Sequence, residues 1–188
     1  MDGLFSGPSF FFKYMKIVST IAFFLFCFLC NAQFPEQWFG HYTGTMRLSN
    51  ADTPDDSLEV SLDIMEVKKD SVWTYSMHYH SAKYGTMEKN YHIVRTADGK
   101  GFVMDELNGI KIQMSYMNDC FYEYFEVDGM LYSTSIRRIA GGILFDLFGA
   151  STQPTLETDS EPDQNNTVFK VLSMKPSFAQ SVLLIPVE

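Results

Sequence analysis

The sequence predicts an all-β protein, an antiparallel up-and-down barrel of about ten strands, made after a cleaved export signal. Three observations carry this expectation. Beyond residue 32 the apolar residues recur with a period of two and not 3.6. The runs are separated by short Asp-Gly, Asn-Gly, Asn-Asp and Gly-Gly connectors, which accept the positive φ that tight hairpin turns require. The most apolar stretch lies near the N-terminus, between basic residues and a small-residue site, the order read by export machinery.

That stretch comes first. Lys13 and Lys16 flank Met15, residues 17–29 are apolar except for Ser19, Thr20 and Cys27, and Cys30-Asn31-Ala32 provides the cleavage site. Residues 1–32 are therefore expected to be a signal peptide, with Met15 an alternative start and Gln33 the first mature residue. A membrane-spanning helix needs roughly 20 apolar residues, and this run is shorter. Lipid attachment at Cys30 is the less favoured variant, because Leu29 is bulky where such sites carry a small residue. The expected location is secreted or periplasmic, with no stable membrane insertion after cleavage.

The mature chain, 33–188, suits one domain with one core. Losing Lys13, Lys16 and Asp2 takes basic residues from 14 to 12 and acidic ones from 23 to 22, so the net charge moves from −9 to about −10. That charge repels phosphate backbones and anionic headgroups, which argues against nucleic-acid partners and a basic membrane dock. Cys27 and Cys30 leave with the signal. Cys120 is then the single mature cysteine, set in an aromatic run as a small buried residue, and no disulfide framework exists.

The elements follow in order. Residues 38–48 alternate Trp38, Gly40, Tyr42, Gly44, Met46 and Leu48 on one face, and the polar stretch 49–56 with Pro54 ends the strand. Leu58, Val60, Leu62 and Ile64 make the second, with a change of parity at Met65 and Val67 that indicates a bulge. Lys68-Lys69-Asp70 turns into a third strand of Trp73, Tyr75, Met77 and Tyr79, and 81–85 leads to a fourth of Met87, Tyr91 and Ile93. Asp98-Gly99 introduces 102–105, and Asn108-Gly109 introduces Ile110, Ile112, Met114 and Tyr116. Asn118-Asp119 precedes 121–127, Asp128-Gly129 precedes 130–136, and Gly141-Gly142 precedes 143–148. Residues 149–166, rich in Thr, Asp, Glu, Gln and Pro, are expected to form a mobile loop. Residues 168–174 complete the set as a tenth strand. The apolar tail 178–187 reads as a last strand or a short helix.

Short connections between successive strands imply a meander, and closure removes its sticky edges. A β-sandwich needs longer crossings. An outer-membrane barrel needs longer strands and usually an aromatic end, whereas this chain finishes Pro186-Val187-Glu188.

Trp38-Phe39-Gly40-His41-Tyr42-Thr43-Gly44, followed by the meander, resembles the start of calycins: lipocalins, fatty-acid-binding proteins and nitrobindin-like barrels. The resemblance extends to architecture along the mature chain but to few positions in sequence. The Trp-Phe-Gly order departs from the Gly-x-Trp of lipocalins. It implies that Trp38 plugs one end, with Arg137 and Arg138 from a late strand closing over it as the lipocalin arginine does, a cation–π contact. It also implies a small hydrophobic ligand inside the barrel. A haem site like that of nitrobindin would need a late histidine, and none follows His92.

The expected inward residues are Tyr42, Met46, Leu62, Trp73, Tyr75, Met77, Met104, Met114, Tyr122 and Tyr124. With Met1 and Met15 removed, nine of the 11 methionines remain, and flexible thioethers suit a pocket for varied apolar shapes. The same residues would equally fill a solid core. His78 and His80 share one face of the third strand and His92 stands on the next, the one metal-like arrangement, with Glu88 nearby. No cofactor motif, Gly-x-Ser-x-Gly elbow or Walker loop occurs, so no enzyme is expected. Two functions follow: an exported lipocalin-like carrier or sensor of a small hydrophobic ligand, or a non-catalytic interaction or structural domain with a filled core.

Overall fold

The computed structural model describes residues 36–187; the expected signal peptide lies outside the described residues. A 3-10 turn, Glu36–Trp38, leads into thirteen strands: β1 Gly40–Asn50, β2 Thr53–Ile64, β3 Glu66–Lys68, β4 Val72–Ser81, β5 Gly85–Arg95, β6 Phe102–Asp105, β7 Lys111–Met117, β8 Cys120–Val127, β9 Met130–Ile139, β10 Gly142–Ser151, β11 Leu156–Asp159, β12 Lys170–Ser173 and β13 Pro176–Pro186. The main sheet runs β2-β1-β13-β10-β9-β8-β7-β6-β5-β4-β3, and β2 also pairs with β4. That pairing closes a ten-stranded antiparallel barrel, with β3 a short continuation of β2 along β4.

Turn chemistry sets the register. Asn118 and Asp119 both have positive φ (52° and 56°), as do Asp128 and Gly129 (50° and 75°), the backbone of two-residue hairpin turns whose twist matches that of the strands. Met117 therefore pairs with Cys120, and Val127 with Met130. The bulge at the end of β2 is present. Met65 is thrown outward, 63% exposed, and its amide donates to the Thr74 hydroxyl at 2.9 Å. Pro54 lies inside β2, where the β1–β2 register shifts between Leu48 and Asn50, a position that does not require its missing N–H.

Two expectations about the C-terminal third are corrected. Residues 149–166 are not one strandless loop. β10 continues to Ser151, and β11 pairs with β12 in a separate two-stranded arm, so the run expected as a tenth barrel strand lies in that arm. The tail takes its place. As β13 it pairs with β10 on one side and β1 on the other, closing the wall. Glycines make room for it: a methyl at Gly44 would collide with the Leu183 carbonyl, and one at Gly142 with the Leu184 carbonyl. Val182 and Leu184, two apart, are buried.

The core gathers at one end. Fully buried Trp38 meets Phe121 edge-on at 5.5 Å, Phe121 meets Phe102 at 5.2 Å and Tyr116 at 4.7 Å, and Trp73 lies 6.1 Å from Phe102. Ile64, Ile143 and Leu184 are buried at the same ends of their strands. Edge-to-face packing of this kind adds to what area burial contributes. Cys120 is buried with a free thiol. No described helix is long and apolar enough to cross a membrane.

Candidate functional site

The aromatic plug occupies one end of the barrel, and a cavity of about 630 Å³ occupies the rest. Its walls begin above the plug at Met46, Tyr75, Met104, Ile112 and Ile136. They reach the opposite rim at Leu48, Tyr84, Met87, Ile110, Val127 and Phe178, beside the β4–β5, β6–β7 and β8–β9 turns. The lumen is thus not filled. A period of two explains the lining: β4 turns Trp73, Tyr75, Met77 and Tyr79 inward, and the antiparallel register sets Tyr91 opposite Tyr75 and Met87 opposite Tyr79.

The structure sorts the expected interior residues into three groups. Met46, Tyr75, Met77 and Met104 line the cavity. Tyr42, Leu62, Trp73 and Met114 are buried core residues outside its lining, and the Tyr42 hydroxyl donates to the Trp38 carbonyl at 3.0 Å. Tyr122 and Tyr124 are corrected: they lie on the outer face, Tyr124 68% exposed and Tyr122 accepting a 2.8 Å bond from Arg137. The reason is register. Tyr116 packs inward on Trp38, the two-residue turn pairs it with Phe121, and paired residues share a face, so β8 directs Phe121, Glu123 and Phe125 inward.

The expectation that both arginines close over Trp38 is also revised. Arg138 straps the closed end through main-chain carbonyls, donating to Gln37 (3.1 Å), Ile139 (2.9 Å) and Gly142 (2.8 Å), and so ties the turn carrying Trp38 to the β9–β10 hairpin. Arg137 is on the outer face with Tyr122. Arg95 supplies a guanidinium over aromatic rings at this end, 5.6 Å from the Trp73 centroid and 5.1 Å from that of Phe102.

The histidines stay on the outer face. His78 sits between Asp63 (3.7 Å) and Glu88 (3.6 Å), His80 contacts the Thr86 hydroxyl at 3.2 Å, and His92 is opposite Asp105. His41 takes the nearer Asp63 oxygen at 2.7 Å. The three histidines do not converge, and no metal-holding group of three or more His, Cys, Asp or Glu occurs among the described residues.

Glu123, absent from the expected site, is the most unusual residue in the lumen. It is buried and lines the cavity directly opposite Thr134 on β9. Its carboxyl oxygen Oε1 and the Tyr75 hydroxyl have no hydrogen-bond partner. Desolvation, partly offset by the Thr134 hydroxyl and reinforced by the Glu106 charge, pushes Glu123 up to about 7. Burial pushes the Tyr75 hydroxyl well above its ordinary value, with Tyr79, Glu123 and Tyr91 adding to it. Desolvation, then Glu106, pushes Tyr91 to about 12. The sequence signal for Glu123 is the turn parity at Asn118-Asp119: with Tyr116 inward, a two-residue hairpin sets Phe121 and Glu123 on the inner face.

A closed ten-stranded up-and-down barrel, plugged by an N-terminal tryptophan and open at the far end, defines a calycin-like fold. Among solved structures, the chain is similar to the S-type phycobiliprotein lyase CPES from Guillardia theta, with a TM-score of 0.55 and 10% identity over 81% of this chain and 90% of that one. A likeness at that identity extends to the fold and not to the lyase activity. No family model matches the chain. No curated protein matches it in sequence.

Proposed function

We propose that the protein binds a small, elongated hydrophobic molecule in the barrel lumen and carries or senses it outside the cytoplasm, without catalysing a reaction. The cavity of about 630 Å³ between the aromatic plug and the open rim carries this reading. Ligand pockets span roughly 300–1,000 Å³ and are mostly apolar with a few placed polar groups. Here methionine and tyrosine walls supply the apolar surface, and Met46, Met77, Met87 and Met104 can repack around different shapes. The export half of the reading rests on the order of charge, apolar run and small residues in 13–32.

Titration with the uncharged fluorophore N-phenyl-1-naphthylamine tests the cavity. Saturable binding is expected, and Met77→Trp, which fills the lumen, is expected to weaken it about tenfold or more without loss of the β circular-dichroism signal. Native mass spectrometry of protein from its own source is expected to show a co-purifying small molecule. No saturable binding and no such species would refute the reading. N-terminal sequencing is expected to begin at Gln33, and retention of 1–32 would overturn the export half.

A second reading, contact with a protein partner, is supported by the arm, where Leu156, Phe169 and Val171 are exposed and the register sets Leu156 and Val171 on one face. Replacing residues 153–175 by a short turn is expected to leave fluorophore binding intact and to abolish such contact.

A further inference from the structure

We propose that the molecule held in this lumen carries a protonated nitrogen, an amine-type cation on an apolar chain, and that Glu123 with Tyr75 receives it. The inference rests on the lumen being a binding site. It starts from two orphaned polar groups in one cavity: Glu123 Oε1, an acceptor, and the Tyr75 hydroxyl, which can both donate and accept, are buried, line the same walls and have no partner. Buried polar groups are almost always satisfied, and each exception calls for an explanation. A buried carboxyl left open to a cavity is costly to the empty protein and becomes favourable when a donor fills the gap.

The charge balance of the lumen selects the donor. The other titratable groups lining the cavity are Tyr75 and Tyr79 from β4, Tyr84 from the β4–β5 turn, Lys89 and Tyr91 from β5, Glu106 beyond β6 and Tyr132 from β9. Lys89 is the one basic residue in the lining. It is exposed, with its ammonium 5.9 Å from the Tyr91 ring centroid. A fatty-acid carboxylate reaching Glu123 would meet that carboxyl and the charge of Glu106, while Lys89 stands one inward position nearer the rim than Tyr91, exposed to solvent. An ammonium group would instead find a carboxylate and phenolic oxygens, and a charge-assisted hydrogen bond is stronger than a neutral one. Depth sets the orientation. Glu123 lies in mid-barrel, one step along β8 from Phe121 of the plug, with Phe125 and Val127 continuing to the rim. The cationic head therefore lies inward and the apolar chain runs toward the open end, past Phe125, Ile110 and Met87.

Competition against bound N-phenyl-1-naphthylamine by dodecylamine, dodecanol and dodecanoate, each below its micellar concentration, tests the assignment. Dodecylamine is expected to compete about tenfold or more better than dodecanoate. Its affinity should fall as pH is lowered from about 8 to about 5.5, where Glu123 takes up a proton, while that of dodecanol stays level. Glu123→Gln should reduce the amine to the level of the alcohol. Glu88→Gln, which removes the same charge from the outer face, should leave the amine preference intact. Dodecanoate competing as well as dodecylamine, or an amine preference that survives Glu123→Gln and ignores pH, overturns the headgroup assignment while fluorophore binding still stands. Failure to bind the fluorophore at all overturns the binding reading and this inference with it.

Discussion

Replacing Glu123 by Gln is expected to stabilise the empty barrel at alkaline pH and to leave it nearly unchanged in acid. Glu123 is held up to about 7 in the folded protein from an ordinary value of 4.5, so between those values the folded state keeps a proton that the unfolded chain has released. With more protons bound in the native state, the free energy of unfolding falls as pH rises. The penalty begins near pH 4.5 and is complete above about pH 7. At about 1.4 kcal/mol for each unit, it reaches about 3 kcal/mol. Gln fills the same volume and carries no charge to bury. Urea unfolding of both proteins at several pH values from about 4 to 8 measures the difference, which is expected to open from near zero to about 3 kcal/mol. A difference independent of pH, or one that favours the native Glu as pH rises, would refute the reasoning. Saturation with dodecylamine should narrow the gap, because a bound cation stabilises the ionised carboxyl.

Other changes report on closure. Gly44→Ala drives a methyl into the Leu183 carbonyl and should cost about 1–3 kcal/mol; a loss below about 0.5 kcal/mol in urea unfolding would mean that β13 can shift away. Trp38→Ala removes the centre of the plug and should cost about 3–5 kcal/mol. Fluorophore affinity per folded molecule should hold, since the cavity lies at the other end, and a parallel collapse of binding would contradict that separation. Arg138→Ala breaks three bonds to main-chain carbonyls and should destabilise by about 1–3 kcal/mol. Arg137→Ala, which loses a bond to Tyr122 on the outer face, should cost about 1 kcal/mol or less. Equal losses for the two would refute the strap.

Local chemistry was legible in the sequence wherever neighbours in the chain decide it. The two-residue period of Leu58, Val60, Leu62 and Ile64 marked the inner face of β2, and the parity change at Met65 marked its bulge. Asn118-Asp119 and Asp128-Gly129 marked the hairpins, because positive φ is a property of single residues. Met46, Tyr75, Met77 and Met104 were placed on the inner face by alternation alone. Tyr122 and Tyr124 were misplaced because β8 is aromatic on both faces, so composition could not choose between parities that differ by one residue. Only the pairing of Tyr116 with Phe121 chose, and it turned Glu123 inward.

By itself, then, the sequence determined an all-β meander, its hairpin turns and most of its inward methionines and aromatics, since these follow from alternation and backbone preference within a few residues. The tertiary structure alone decided what long-range pairing controls. The tail became β13 because β1 and β10 offered it two free edges and two glycines beside its carbonyls. Residues 156–173 left the wall as an arm. One oxygen of a carboxyl came to stand unpartnered in the lumen because ten strands closed around it at a radius that their side chains do not fill.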